Sequence, residues 1–241
     1  MIFFENNNKE AAFHFAVEEL FTRYIKSSEP VLMLWQTEKT VMLGNNQVVA
    51  FEVDMDFALK NDIKVVRRSS GGGAIYTDPG TFLYTVIEPV TKEIKMHRES
   101  VAATIVDALS YFGVSAVREG RNDILVDGKK ISGFAQYTSG DHVCTHGSLL
   151  YDTDLEILTN VLIPNDDKLR PKGISSIRSR VTNIRPYMSE SHSAADFRRK
   201  LLDKLTNGKK IKSYELNTND IDKISLILSE KYSNKAWNFS K

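Results

Sequence analysis

A mixed α/β fold, with α and β segments partly segregated along the chain, is predicted by three features of the sequence. One long stretch near the N-terminus carries apolar residues at three- and four-residue spacing, short β-rich runs dominate the middle, and helical spacing returns after residue 154. Between Lys9 and Lys26, Ala12, Phe13, Ala16, Val17, Leu20, Phe21 and Tyr24 form a single stripe, which predicts an amphipathic helix. Strands are predicted over Val31–Trp35, Thr40–Leu43, Lys64–Arg68, Ala74–Tyr76 and Phe82–Ile87, with a small helix over Asp54–Asn61. Ser100 is read as the cap of a helix reaching Phe112. The run "DILVDGKKISGF" alternates on both sides of Asp127-Gly128, a pair suited to a tight hairpin. A strand over Val143–Leu150 and helices over Asp154–Leu162, Ser193–Thr206 and Asn219–Tyr232 complete the set. No repeat or clear linker interrupts the chain, so residues 1–241 are read as one domain; the polar stretch Ser189–Ser193 is a loop or a minor subdomain boundary.

Composition narrows the function classes. At 241 residues, 41% of them hydrophobic, the chain can bury a substantial core. Thirty-two basic against 31 acidic residues leave a net charge of +1, so no overall field draws it to nucleic acid or to an acidic membrane surface, and any basic site must be local. No apolar run approaches the roughly 20 residues of a membrane span, and the expectation is a cytoplasmic protein. The single cysteine, Cys144, excludes an internal disulfide and multi-cysteine metal sites.

Two motifs carry chemistry. In "RRSSGGGAIY", residues 67–76, a bare glycine run would serve as a flexible joint. Here Arg68, the hydroxyls of Ser69 and Ser70, and backbone N–H groups bared by Gly71, Gly72 and Gly73 converge on one small space, a combination that complements polyphosphate. The commoner nucleotide fingerprints, GxxxxGK[ST] and GxGxxG opening a helix, are missing. In "GRNDILVDGKKISGFAQ", residues 120–136, alternation puts Ile131 on one face and Lys130 with Ser132 on the other, leaving Lys129 at the turn. Gly133, inside a strand, marks a place of close approach. A solvated edge charge is the plain reading of Lys130; Gly133 beside it favours a ligand contact.

Together with "THGSLLYDTDLE" and "KGISSIRSRVTNI", these motifs, in this order, resemble the lipoate-protein ligase A family over about Trp35 to Ile184. The resemblance implies a biotin-protein-ligase-like catalytic domain, with mixed, largely antiparallel sheets flanked by helices. It implies the reaction as well: lipoate and ATP, with Mg²⁺, give lipoyl-adenylate and pyrophosphate, and the lipoyl group then passes to a lysine of an acceptor protein. By the same resemblance Arg68, Ser70, the glycines and Ala74, Ile75 and Tyr76 bind nucleotide and acyl phosphate. Lys130, the implied catalytic residue, acts on the carboxyl and phosphate oxygens beside Ser132 and Gly133. Asn122 and Asp123 are candidates to position the incoming amine or a metal, or equally to cap a strand edge, and His146 is either a structural or a pocket histidine. The implied acceptors are lipoyl domains of 2-oxoacid dehydrogenase E2 subunits or the glycine-cleavage H protein, and no residue separates them.

Three departures from the family stand out. Thr77 replaces a histidine common after the glycines, and Asn45 in "LGNNQ" replaces a common arginine. Many members also continue into a C-terminal accessory domain, whereas this chain stops soon after "KAWNFSK". That leaves open a truncated chain, a member served by a separate accessory protein, or one that only transfers preformed lipoyl-adenylate. A rival reading, an acyltransferase with a cysteine nucleophile, would require Cys144, but that residue lies inside a predicted strand where a buried or edge thiol is the better account. A module that binds lipoate or nucleotide without releasing pyrophosphate is the non-enzyme alternative.

Overall fold

The computed structural model describes residues 1–163, 180–208 and 210–239. In chain order its elements are β1 (Ile2–Phe4), α1 (Ala11–Leu20), β2 (Val31–Trp35), β3 (Thr40–Leu43), α2 (Val49–Glu52), α3 (Met55–Lys60), β4 (Lys64–Arg67), β5 (Ile75–Thr77) and β6 (Thr81–Pro89). They continue with α4 (Ile94–Ser110), β7 (Val117–Glu119), β8 (Asp123–Val126), β9 (Lys129–Ser139), β10 (His142–Leu150), α5 (Leu155–Val161), α6 (Ala194–Leu205), β11 (Lys212–Ser213), α7 (Thr218–Ile227) and α8 (Lys235–Phe239). Eight strands form one sheet in the order β11-β1-β2-β6-β10-β9-β8-β7, and β4-β3-β5 form a second.

Alternation along the strands explains how the large sheet is covered on both faces. In β2, Leu32 and Leu34 enter one core with Phe82 and Tyr84 of β6, Ile105 of α4 and Phe197 of α6. Val31, Met33 and Trp35 enter the opposite core with Leu83, Phe15 of α1 and Ile224 of α7. A third core lies under the small sheet, where Val41 and Leu43 meet Ala58 of α3 and Leu158 of α5. At the Asp127-Gly128 turn both residues have positive φ, 48° and 70°, which matches the hairpin read from sequence. No helix among the described residues is long and apolar enough to cross a membrane.

Several elements depart from expectation. Helix α4 begins at Ile94, so Ser100 lies inside it, not at its cap. The first two turns bury His97 but otherwise lack an apolar stripe, and His97 is anchored by Nδ1 to Glu88 at 2.6 Å across the chain. Strand β1 was not expected because three residues carry no period; it is defined by parallel pairing to β2 and β11. Ser193 does cap α6, its hydroxyl accepting from the Asp196 N–H at 3.1 Å, and Phe197 and Leu201 carry that helix into the first core.

Helix α1 also buries a titratable group outside the stripe read from sequence, His14, against Trp35. His14 is 1% exposed, stacks on the Trp35 ring at 4.3 Å and bonds the Asn8 carbonyl through Nε2 at 2.8 Å. Burial pushes its pKa down to about 4, against the Asn8 bond and Glu18, which favour the cation. The unfolded chain takes up this proton near pH 6.5 and the folded chain does not, so the stability is present above 6.5 and is lost as pH falls toward 4, by at most roughly 3 kcal/mol. His14→Gln should therefore show a smaller fall in Tm than the parent between pH 6.5 and 5; parallel Tm profiles would contradict the assignment.

Candidate active site

Strand alternation continues past β4 and divides residues 67–70 between two sides of the structure. Arg67 and Ser69 face the C-terminal segment. Arg67 is buried; its Nε donates to the Trp237 carbonyl, Nη2 to the Asn238 carbonyl, and Nη1 to the carbonyls of Gly44 and Gln47 at 2.9 and 2.7 Å. Its backbone N–H donates to Asn238 Oδ1 and its carbonyl accepts from Trp237 Nε1. Ser69 Oγ bonds Tyr232 OH at 2.7 Å and accepts from Lys231 Nζ, and Lys231 and Tyr232 both bond Glu19 of α1.

Arg68 and Ser70 face the other way and shape the glycine loop. Arg68 Nε donates to Ser70 Oγ, Nη1 to the Met42 carbonyl, and Nη2 to the carbonyls of Gly71 and Gly73 at 2.8 and 2.7 Å. Burial lowers the Arg68 pKa to about 10, with Glu18 opposing the shift, and the surrounding carbonyl dipoles take the place of water around the charge. The loop thus wraps around the guanidinium. Gly72 adopts φ +95°, which disfavours a side chain, whereas a Cβ on Gly73 would meet open space.

That open space is the junction of two cavities. A narrow one of about 140 Å³ is walled by Phe15, Trp35, Met42, Leu83 and Phe134, with Arg68 and His146 at its margin. A wide one of about 820 Å³ has polar groups of β8 and β9, the start of β5 and Arg180 on its lining, together with the apolar side chains of Leu150, Leu158, Leu162 and Val181. Gly73, Ala74, Ile75, Asn122, Asp123, Lys130 and Gly133 border both. Of the residues expected at the site, Tyr76 and Ser132 line the wide cavity, and Gly72 lines the narrow one. Ser70 is buried in the wall, and Gly71 opens onto a further cleft. The motif at 172–184 falls largely on residues 172–179, which lie outside the described residues.

Lys130 sits at the junction because of its strand phase. Ile131 is fully buried in the first core, Lys129 is exposed at the turn, and Lys130 lines the cavities. The β8–β9 register shifts there: Ile124 pairs with Ser132 and Leu125 with Lys130, so Ile131 is an extra residue in its strand. Lys130 Nζ bonds Asp123 Oδ1 at 2.9 Å. A Cβ on Gly133 would lie 2.8 Å from Lys130 Nζ, so the close approach signalled by this glycine is made by the Lys130 side chain itself. On the same lining Ser132 and Tyr76 are turned toward Tyr84 and Asp78, whereas Asn122 Oδ1 is buried with no hydrogen-bond partner among the described residues. Buried polar atoms are nearly always satisfied, and an orphan at the cavity junction is consistent with a polar ligand completing it.

His146 is both structural and part of the pocket. Its Nδ1 donates to Glu18 at 2.9 Å and its Nε2 accepts from Ser70 Oγ at 2.6 Å; Glu18 also accepts from Thr85 Oγ1, which accepts from Trp35 Nε1. Glu18, His146 and Cys144 lie close enough to share a metal ion, but this cluster is sealed and the Glu18 carboxylate is already bonded to His146 and Thr85. Cys144 is fully buried, and burial together with Glu18 pushes its thiol well above the usual range, which opposes a thiolate nucleophile. Thr77 is buried against Thr37 at 2.8 Å. Sequence reasoning missed Glu18 and the narrow cavity's walls; the available signal was the pair Glu18-Glu19, two carboxylates inside an otherwise apolar helix, both buried.

Residues 10–206 match the lipoyl protein ligase A/B catalytic domain family. The chain is 32% identical to lipoate-protein ligase LplJ of Bacillus subtilis, covering 100% of this chain and 74% of that protein. It is 34% identical to a probable lipoate-protein ligase A of Mycoplasma pneumoniae, covering 95% and 68%. Among solved structures, the bi-partite lipoate protein ligase of Thermoplasma acidophilum, studied with its E2 lipoyl domain, superposes with a TM-score of 0.87 at 26% identity, covering 99% of this chain and 95% of that one.

The clamp behind the loop is testable without ligand. Asn238 accepts from the Arg67 N–H and donates to the Tyr232 carbonyl, so Asn238→Ala strands a buried donor and a buried acceptor. A loss of roughly 1–3 kcal/mol in urea unfolding is expected; an unchanged midpoint would show that the C-terminal segment does not brace residue 67.

Proposed function

Because the chain belongs to the lipoyl protein ligase A/B catalytic family, we propose that it is a lipoate-protein ligase, its described residues forming one catalytic domain that joins lipoate to AMP and passes the lipoyl group to a lysine. One observation carries this reading: a narrow apolar channel meets a wide cavity at Lys130, where Asp123, the unpartnered Asn122 Oδ1 and the glycine loop come together. An acyl chain suits the channel between Trp35 and Phe134, which sets its carboxylate at the junction, and a nucleotide suits the wide cavity.

The chemistry follows from that placement. A lipoate carboxylate oxygen attacks the α-phosphorus of ATP, the bond to the β-phosphate oxygen breaks, and pyrophosphate leaves. Both reactants are anions, so catalysis rests on orientation and fixed positive charge. Lys130 supplies a compact charge at the carboxyl and phosphate oxygens, held over Gly133 by Asp123. In the second step the acceptor amine attacks the acyl carbon, the acyl–oxygen bond breaks, AMP departs and the amine proton is released. Mg²⁺ accompanying ATP would offset charge on pyrophosphate. Of the three carboxylates that border the cavity, Glu52, Glu119 and Asp123, Asp123 lies beside Lys130 and would hold such an ion, which takes most of its ligands from phosphate and water. Lipoyl domains of E2 subunits or the glycine-cleavage H protein are the proposed acceptors, and a separate accessory protein is compatible with the bi-partite archaeal relative.

Lys130→Ala should lose about 3–4 kcal/mol of transition-state stabilisation in lipoylation of a purified acceptor domain, while Lys129→Ala stays near the parent rate. Supplying synthetic lipoyl-adenylate should not restore Lys130→Ala fully. Complete rescue would confine Lys130 to adenylation, and a damaging Lys129→Ala would reverse the assignment of the two lysines. Failure of the parent chain to release pyrophosphate from lipoate and ATP, with transfer from preformed adenylate intact, would make it a transferase only.

A further inference from the structure

Asn122 borders three spaces, not two. Besides the channel and the nucleotide cavity, a cleft of about 730 Å³ opens along Gly71 and Gly72, lined by Ala135 to Thr138 of β9 and by the first turns of α4. Its lining carries three cations, Lys95, Arg98 and Arg121, and no carboxylate. In a chain of net charge +1 this is a strong local imbalance. Among the described residues Arg98 Nε is buried without a hydrogen-bond partner, and Lys95 meets Glu99 at 3.7 Å. Neither Arg98 nor Arg121 has an ion-pair partner among the described residues.

We propose that this cleft docks the acceptor protein and selects one whose target lysine lies among acidic residues. The proposal rests on the ligase reading and adds its partner selectivity. The acceptor amine must reach the acyl carbon at the junction while the acyl chain fills the channel and the nucleotide fills the wide cavity. The third cleft shares Gly72, Asn122 and Ala135 with the channel and so offers a separate approach. An incoming lysine is itself a cation. Entering between Lys95, Arg98 and Arg121 it is repelled unless carboxylates beside it meet those groups, and Arg98 and Arg121 have no carboxylate of this chain among the described residues to satisfy them first. Free lysine and basic proteins are thereby turned away, a selectivity that works by repulsion as well as attraction.

The test separates docking from adenylation. A Lys95→Glu/Arg98→Glu double variant is assayed for lipoate-dependent exchange of pyrophosphate into ATP and for lipoylation of a purified E2 lipoyl domain, at low and high salt. The expected result is a rise of roughly tenfold or more in KM for the lipoyl domain, little change in exchange, and a weaker salt dependence. The neutral pair Lys95→Ala/Arg98→Ala should move KM in the same direction by less, which guards against misfolding of the reversed variant. Changing acidic residues beside the acceptor lysine to lysine should recover part of the lost affinity in the reversed variant. An unchanged KM for the lipoyl domain in both variants overturns the proposal. So does a parallel loss of exchange with a raised KM for ATP, which would assign the cleft to phosphate. If the parent chain neither exchanges pyrophosphate nor transfers from lipoyl-adenylate, the ligase reading and this proposal fall together.

Discussion

Two adjacent guanidinium groups, Arg67 and Arg68, point in opposite directions and are both buried, and the geometry of the site follows from that division. Arg67 reaches back to the carbonyls of Trp237 and Asn238 and sideways to those of Gly44 and Gln47, so it fixes where β4 ends. Arg68 reaches forward, and its contacts to Met42, Gly71 and Gly73 curl the glycine loop around a charge. Burying a cation is costly unless polar groups replace its water, and here carbonyl oxygens do so on both sides. A loop with three consecutive glycines would otherwise have high conformational freedom.

That constraint places the chemistry at the meeting of two sheets. The loop leaves the small sheet after β4 and returns to it in β5, and across the gap β9 of the large sheet brings Lys130 and Gly133. The apolar channel draws its walls from α1, β2, β3 and β6 of the two layers, and the wide cavity lies on the other side of the same neck. Behind the loop, the Glu19–Lys231–Tyr232–Ser69 contacts join helix α1, the C-terminal segment and the loop root into one network. In front, the Trp35–Thr85–Glu18–His146–Ser70–Arg68 chain joins the channel wall to the loop.

Legibility from sequence tracked the range of the interaction involved. Val31–Trp35 and the Asp127-Gly128 hairpin were readable because alternation and turn chemistry are local, and the same alternation placed Lys130 opposite Ile131. Strand β1 and the start of α4 were not readable: one exists through pairing to distant strands, and the other is a charged surface held by a histidine. The channel walls were invisible for a related reason. Phe15, Trp35, Met42 and Leu83 come from four separate elements, and nothing in an apolar residue's neighbours tells a cavity wall from a filled core. The motif put Arg68 beside the glycines as a nucleotide ligand; that its fork bonds the carbonyls of Met42, Gly71 and Gly73 depends on how the loop folds back on it, which no local pattern records.

Whether Arg68 serves through its shape or only through its charge is therefore the decisive point, and Arg68→Lys separates the two. Lysine keeps the positive charge but lacks the planar fork that bonds several carbonyls at once. Pyrophosphate exchange should be lost in Arg68→Lys about as completely as in Arg68→Ala, with faster amide hydrogen exchange at Gly71 to Gly73 in both. Near-parent exchange activity in Arg68→Lys, with the loop amides as protected as before, would contradict a loop built around this guanidinium.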